Sequence, residues 1–240
     1  MNDIIEVYDE YRHLGIKTRK ITKGIEFDLV REFIDFRKDK FKASDKSKLA
    51  IFIEPMVNNS YPDIVFVNYN PECFTNWNAS RMELTVIDYK VLYCISCMTH
   101  ISSNDIIGYI GITNKEVSQS IKKLYASGFI IEKNKSWQVK HKKVFGVMKI
   151  ESVEVKMNKL GEVLHQALTN RSFATESYIL SNLSDKLDDR KLKRFNQFGI
   201  GVYTTYGQGF KKLQKPIEGT IPVSFSSILF NEWVGSIIMN

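Results

Sequence analysis

Apolar residues in this chain gather in short runs of strand length, with amphipathic stretches of helical period standing between them. Residues 49–55, 61–69, 144–157, 177–180 and 199–203 have strand composition. Residues 25–37 carry Leu29, Val30, Phe33, Ile34 and Phe36 on one broad helical face. Residues 160–168 repeat that pattern with Leu160, Val163, Leu164, Ala167 and Leu168. Interleaved in this order, such runs lead to a mixed central sheet covered by helices, an α/β (α+β) fold. Asn58-Asn59-Ser60 supplies turn chemistry between the first two strands, and Tyr206-Gly207-Gln208-Gly209 predicts a hairpin. Residues 188–198 form a basic helix, and residues 223–238 close the chain with Phe225, Leu229, Trp233 and Ile237 at helical steps. Residues 1–23 show no clear period, and residues 71–81 are polar enough to read as a linker.

Residues 83–139 differ in character. Ile87, Val91, Leu92, Ile95 and Met98 predict one helix, and Ser102-Ser103-Asn104-Asp105 offers N-caps for a short second one. Thr113-Asn114-Lys115-Glu116 is a capping-box pattern opening a third, with Val117, Ile121 and Leu124 on its buried side and Gly128 at its end. Residues 129–132 and 137–140 then read as two strands around a turn. Off the apolar stripe of the third helix lie Asn114, Lys115, Ser118, Gln119, Lys122 and Lys123, residue types that bond phosphates and base edges. Lys133, Asn134, Lys135, Lys140, His141, Lys142 and Lys143 add positive charge in and after the hairpin.

The whole chain of 240 residues has a formal net charge of +7, which favours an anionic polymer as partner over a membrane. No apolar run reaches spanning length and residues 1–12 are charged, so a cytoplasmic protein without a membrane segment is expected. Cys73, Cys94 and Cys97 give no disulfide framework. Cys94 falls on an apolar helix side, so buried thiols are expected in preference to a zinc site. There is no P-loop, dinucleotide fingerprint or Gly-x-Ser-x-Gly elbow, and the scattered histidines argue against a histidine triad.

Two charged strings interrupt the strand runs. Tyr61-Pro62-Asp63 precedes Ile64–Val67, and Glu154-Val155-Lys156 ends another apolar run. Strand alternation sends Glu154 and Lys156 to one face and Val155 to the other. If the two runs pair, Asp63 sits beside both charges, a costly cluster unless a divalent metal uses it.

Pro-Asp followed by Glu-x-Lys on neighbouring strands resembles the active site of the PD-(D/E)XK nuclease superfamily. The order helix, two strands, insertion, strand, helix, strand is similar to that superfamily's αβββαβ, restriction-endonuclease-like core. The insertion resembles the winged helix-turn-helix modules of bacterial regulators. The resemblance implies a discontinuous nuclease-like domain over residues 1–82 and 144–240 and a DNA-binding winged helix over residues 83–143. It implies Mg²⁺, with Mn²⁺ as substitute, held by Asp63, Glu154, the carbonyl of Val155 and Glu26, with Glu32 competing for the last place. Lys156 would orient the attacking water, and Gln166 would point at the site. The expected function is a Mg²⁺-dependent DNA endonuclease, of restriction or other defence type, acting on duplex DNA as a homodimer. The alternative is a winged-helix regulator with a non-cleaving nuclease-like scaffold.

Overall fold

The computed structural model describes residues 2–8, 10–19, 24–57, 60–75, 77–98, 100–140, 145–157, 160–182, 187–221 and 223–239. The turn residues Asn58 and Asn59 and the basic residues His141, Lys142 and Lys143 lie outside them. The chain divides into two compact units. Unit 1 comprises Met1–Tyr69 and Val147–Ser227, and unit 2 comprises Asn70–Gly146 and Ile228–Asn240. These boundaries differ from those expected at 82/83 and 143/144, and the final helix contributes to unit 2.

Unit 1 is built on a seven-stranded mixed sheet. Its strands are β1 (Ile4–Val7), β2 (Lys48–Ile53), β3 (Ile64–Tyr69), β6 (Val147–Val155), β7 (Glu176–Ser181), β8 (Gly201–Tyr206) and β9 (Gly209–Gln214), in that spatial order. β2, β3 and β6 run antiparallel to their neighbours in succession, β6, β7 and β8 are parallel, and β9 returns antiparallel. β1 pairs parallel with β2 at the edge. No local pattern announces it, because four residues inside a charged stretch carry no readable period.

Helix α1 (Ile25–Lys40) buries Leu29, Val30, Phe33 and Ile34 on one face of the sheet. They meet Ile51, Ile53, Ile64, Phe66, Val153, Val155, Tyr178 and Leu180 there. Each fully buried side chain of this size stabilises the fold by roughly 1.5–3 kcal/mol. Two further helices, α6 (Leu160–Asn170) and α7 (Asp189–Gln197), cover the other face. Val163, Leu164, Ala167 and Phe195 pack there on Ile179 and Val202. Tyr178 and Leu180 therefore face α1 while Ile179 between them faces α6, the alternation expected of a strand buried on both sides.

Unit 2 holds α2 (Ala79–Met82), α3 (Val86–Cys97), α4 (Ser103–Ile110), α5 (Asn114–Ala126) and the hairpin β4 (Ile130–Lys133) and β5 (Ser136–Val139). Capping boxes start α3, α4 and α5, at Thr85, Ser102 and Thr113. Residues 71–81 are not the polar linker expected: Phe74 and Arg81 are buried. The Arg81 guanidinium lies 3.9 Å from the Trp77 ring centroid and 4.4 Å from that of Phe129. It bonds both carboxylate oxygens of Glu232, at 2.7 and 2.9 Å. Glu232 belongs to α8 (Phe225–Met239), and Tyr89 Oη also donates to it, at 2.9 Å. A charge 151 positions away in the sequence thus holds the segment inside unit 2. The thiols differ from expectation as well, since Cys94 is half-buried and Cys97 exposed.

Candidate functional site

The site is assembled by register. Ile64 of β3 opposes Val153 of β6, so one step back along β3 and one step on along β6 bring Asp63 beside Glu154. The Val155 N–H donates to Asp63 Oδ2 at 2.7 Å, which fixes that carboxyl at the end of the ladder. Beyond it, the Lys156 N–H donates to the Leu180 carbonyl at 2.9 Å and continues the pairing of β6 with β7. Val155 itself turns its side chain into the core beneath α1.

Glu154 pairs in register with Ile179 and so faces α6, where it is 3% exposed. Asn170, at the end of α6 and fully buried, donates from Nδ2 to Glu154 Oε1 at 2.7 Å. Two carboxyls this close and this dry cannot both ionise easily. Burial, followed by the neighbouring Asp63, pushes Glu154 up to about 8. Burial likewise pushes Asp63 up to about 6, against the lowering effect of the Val155 N–H and of Lys156. Both shifts favour retention of a proton by the pair. Such a pair titrates as a unit.

Asp63 opens onto a cavity of about 230 Å³ lined also by Glu26, Glu54, Tyr61, Lys156 and Gln166. The Lys156 ammonium stands 3.3 Å from Glu26 Oε2, so the two residues expected at the site meet each other. Gln166 lies on α6 one turn before Asn170 and reaches the same cavity. Asp63, Lys156, Glu26 and Gln166 therefore line one cavity, while Glu154 stands beside Asp63 and, like Val155, does not line it.

The sequence reading missed Glu54, Arg19 and Asn170. The Glu54 N–H donates to the Asp63 carbonyl at 3.1 Å, which places Glu54 across from Asp63 at the end of β2. It is buried and adopts φ +46°, a left-handed conformation that costs a non-glycine residue roughly 1 kcal/mol. The Arg19 guanidinium lies 5.2 Å from the Tyr61 ring centroid on the same cavity's wall. Asn170 was readable only as the residue one turn beyond Gln166.

No match to the chain was found among protein-family models, curated proteins or solved structures.

Among the described residues, no group of three or more His, Cys, Asp and Glu side chains is arranged to hold a metal ion. Two adjacent carboxyls are nevertheless suited in charge and donor type to a hard cation, which offsets their mutual repulsion. Mg²⁺ keeps several waters and needs only one or two protein carboxylates, so Asp63 and Glu154 fit it as a pair.

In unit 2, Asn114, Lys115, Ser118, Gln119 and Lys122 are exposed on α5. Lys133 and Lys135 are exposed at the hairpin. Asn134 and Lys135 have φ +53° and +60°, the two left-handed residues of a tight hairpin turn. Lys123 departs from the expected free face. Its ammonium lies 3.3 Å from Asp88 Oδ2, a carboxylate that Ser120 and Thr85 also bond.

Proposed function

We propose that the protein is a Mg²⁺-dependent DNA endonuclease of the PD-(D/E)XK type, with unit 2 serving as a winged helix that holds the duplex. One observation carries this reading: Asp63 and Glu154, far apart in sequence, stand side by side at the ends of neighbouring strands, with Lys156 at the same strand end. A pair of this kind opposes folding, and a metal-using reaction gives it a purpose. The order α1, β2, β3, β6, α6, β7 supports it, being that of an αβββαβ core with an insertion after its second strand.

Asp63 and Glu154 would hold the ion, which when bound supplies positive charge at the scissile phosphate and acidifies water. The Val155 N–H orients Asp63, and Asn170 orients Glu154. Lys156 would direct the attacking water and offset charge developing on the phosphate. In unit 2 the lysines of α5 and of the hairpin turn supply sequence-independent phosphate contacts. Asn114, Ser118 and Gln119 are of the types that read base edges.

A second reading, a DNA-binding regulator with a non-cleaving core, is favoured by the contact of Lys156 with Glu26 and by the lack of a third metal-ligating side chain at the pair among the described residues. Incubation of supercoiled plasmid with protein and Mg²⁺, with and without EDTA, separates the two. Cleavage is expected with Mg²⁺ alone, and Asp63→Ala or Glu154→Ala is expected to lower the rate by about a thousandfold or more. Near wild-type cleavage by both variants, or none by the wild type, removes the nuclease reading.

A further inference from the structure

Helix α7 presents a second charged surface, in unit 1, that the proposed site does not use. Its apolar side, Leu192 and Phe195, packs with Val163, Leu164 and Ala167 of α6. On its other side Arg190, Lys193, Arg194 and Gln197 follow one another at steps of three, one and three residues, forming a single stripe. All four are exposed, and together with Asp189 and Phe198 they line one shallow depression. Among the described residues none of Arg190, Lys193 and Arg194 enters an ion pair. By contrast, Lys38, Lys48, Lys123, Lys149 and Lys156 are each paired with a carboxylate. Three unneutralised cations on one helix face repel each other, and an anionic polymer relieves that repulsion.

The topology gives the stripe a direction. α7 lies in the crossover between the parallel strands β7 and β8, so it returns from their carboxyl ends to their amino ends. Glu154 and Lys156 stand at the carboxyl end of β6, parallel to both strands. The stripe therefore begins, at Arg190, on the end of the sheet that carries the candidate site. It lies on the sheet face covered by α6, which bears Gln166 and Asn170.

We infer that the exposed face of α7 is a phosphate-backbone contact, through which unit 1 binds DNA independently of unit 2. This rests on the nuclease reading for the identity of the polymer. The test uses the full chain in EDTA and a fluorescently labelled duplex, with anisotropy measured from ~50 to ~200 mM salt. Arg190→Ala, Lys193→Ala and Arg194→Ala combined should weaken binding by roughly tenfold or more and lower the log–log salt slope by about 2–3, near 0.9 per lost contact. The exchange variant R190K, K193R and R194K should keep both affinity and slope. Because these side chains are exposed, thermal midpoints should stay at the wild-type value. Wild-type slope and affinity in the alanine variant would overturn the inference while leaving unit 2 as the DNA-holding module. Loss of binding to anionic vesicles with DNA binding intact would also overturn it, in favour of a membrane surface. No DNA binding by the wild type would remove the nuclease reading and this inference with it.

Discussion

Glu154 is a residue whose chemistry depends on what lies beside it. Because its folded pKa and that of Asp63 are raised, to about 8 and about 6, the folded protein holds protons that the unfolded chain releases. The contribution of this pair to stability is therefore greatest below the ordinary carboxylate range and falls as pH rises towards about 8. The thermal midpoint of the wild type, taken relative to that of Glu154→Gln at each pH, should fall accordingly. Glu154→Gln should flatten the curve and be the more stable protein at the alkaline end, by about 2–4 °C per kcal/mol relieved. Mg²⁺ should raise the wild-type midpoint at neutral pH and release protons, and neither effect should appear in the Gln variant. A different signature belongs to Asn170. Its amide lowers the pKa of Glu154, so Asn170→Ala should move the acidic limb of the cleavage–pH profile upward by about one pH unit, the worth of one buried hydrogen bond. A purely structural role would lower the rate at every pH alike. Pro62-Asp63 and Glu154-Val155-Lys156 could be read because they punctuate apolar runs. Asn170 could not, since a polar residue at a helix end is usually a surface residue.

At the scale of elements, periodicity located both helices that flank the site, the capping boxes located α5, and apolar runs located β2, β3, β6 and β7 to within a few residues. What failed was the reading of polar stretches as linkers. Residues 71–81 look polar because of Asn78, Ser80 and Arg81, yet the carboxylate that balances Arg81 is at Glu232, and no local pattern links them. The pair is 5% and 0% exposed, so loss of one partner strands the other in a dry interior. Glu232→Gln should destabilise unit 2 by about 3–5 kcal/mol in chemical denaturation, and the double variant Arg81→Met with Glu232→Leu should cost much less. Equal losses in the two variants would mean that packing, not charge, holds α8 in place. Packing there is close: a Cβ on Gly235 would come within 1.9 Å of the Trp77 ring. Lys123 teaches a related lesson. Its position on the helix was predicted, but its occupation by Asp88 depends on a helix 35 positions away.

For the molecule as a whole, the mixed sheet with helices on both faces followed from the order of runs, while the edge strand β1 and the return of the last helix to unit 2 did not. Both depend on partners distant in sequence, for which local composition carries no signal. Among the described residues no helix is long and apolar enough to cross a membrane. The insertion of unit 2 between β3 and β6 also sets an order in time. As the chain leaves the ribosome, Asp63 emerges 91 residues before Glu154, about 5–18 s at ~5–20 residues per second. Throughout that interval the side of β3 that β6 will cover is a bare edge on Ile64-Val65-Phe66-Val67, a strand that invites pairing with another nascent chain. Expression should therefore depend on chaperones that shield such edges, and a half-made molecule carries no complete carboxylate pair.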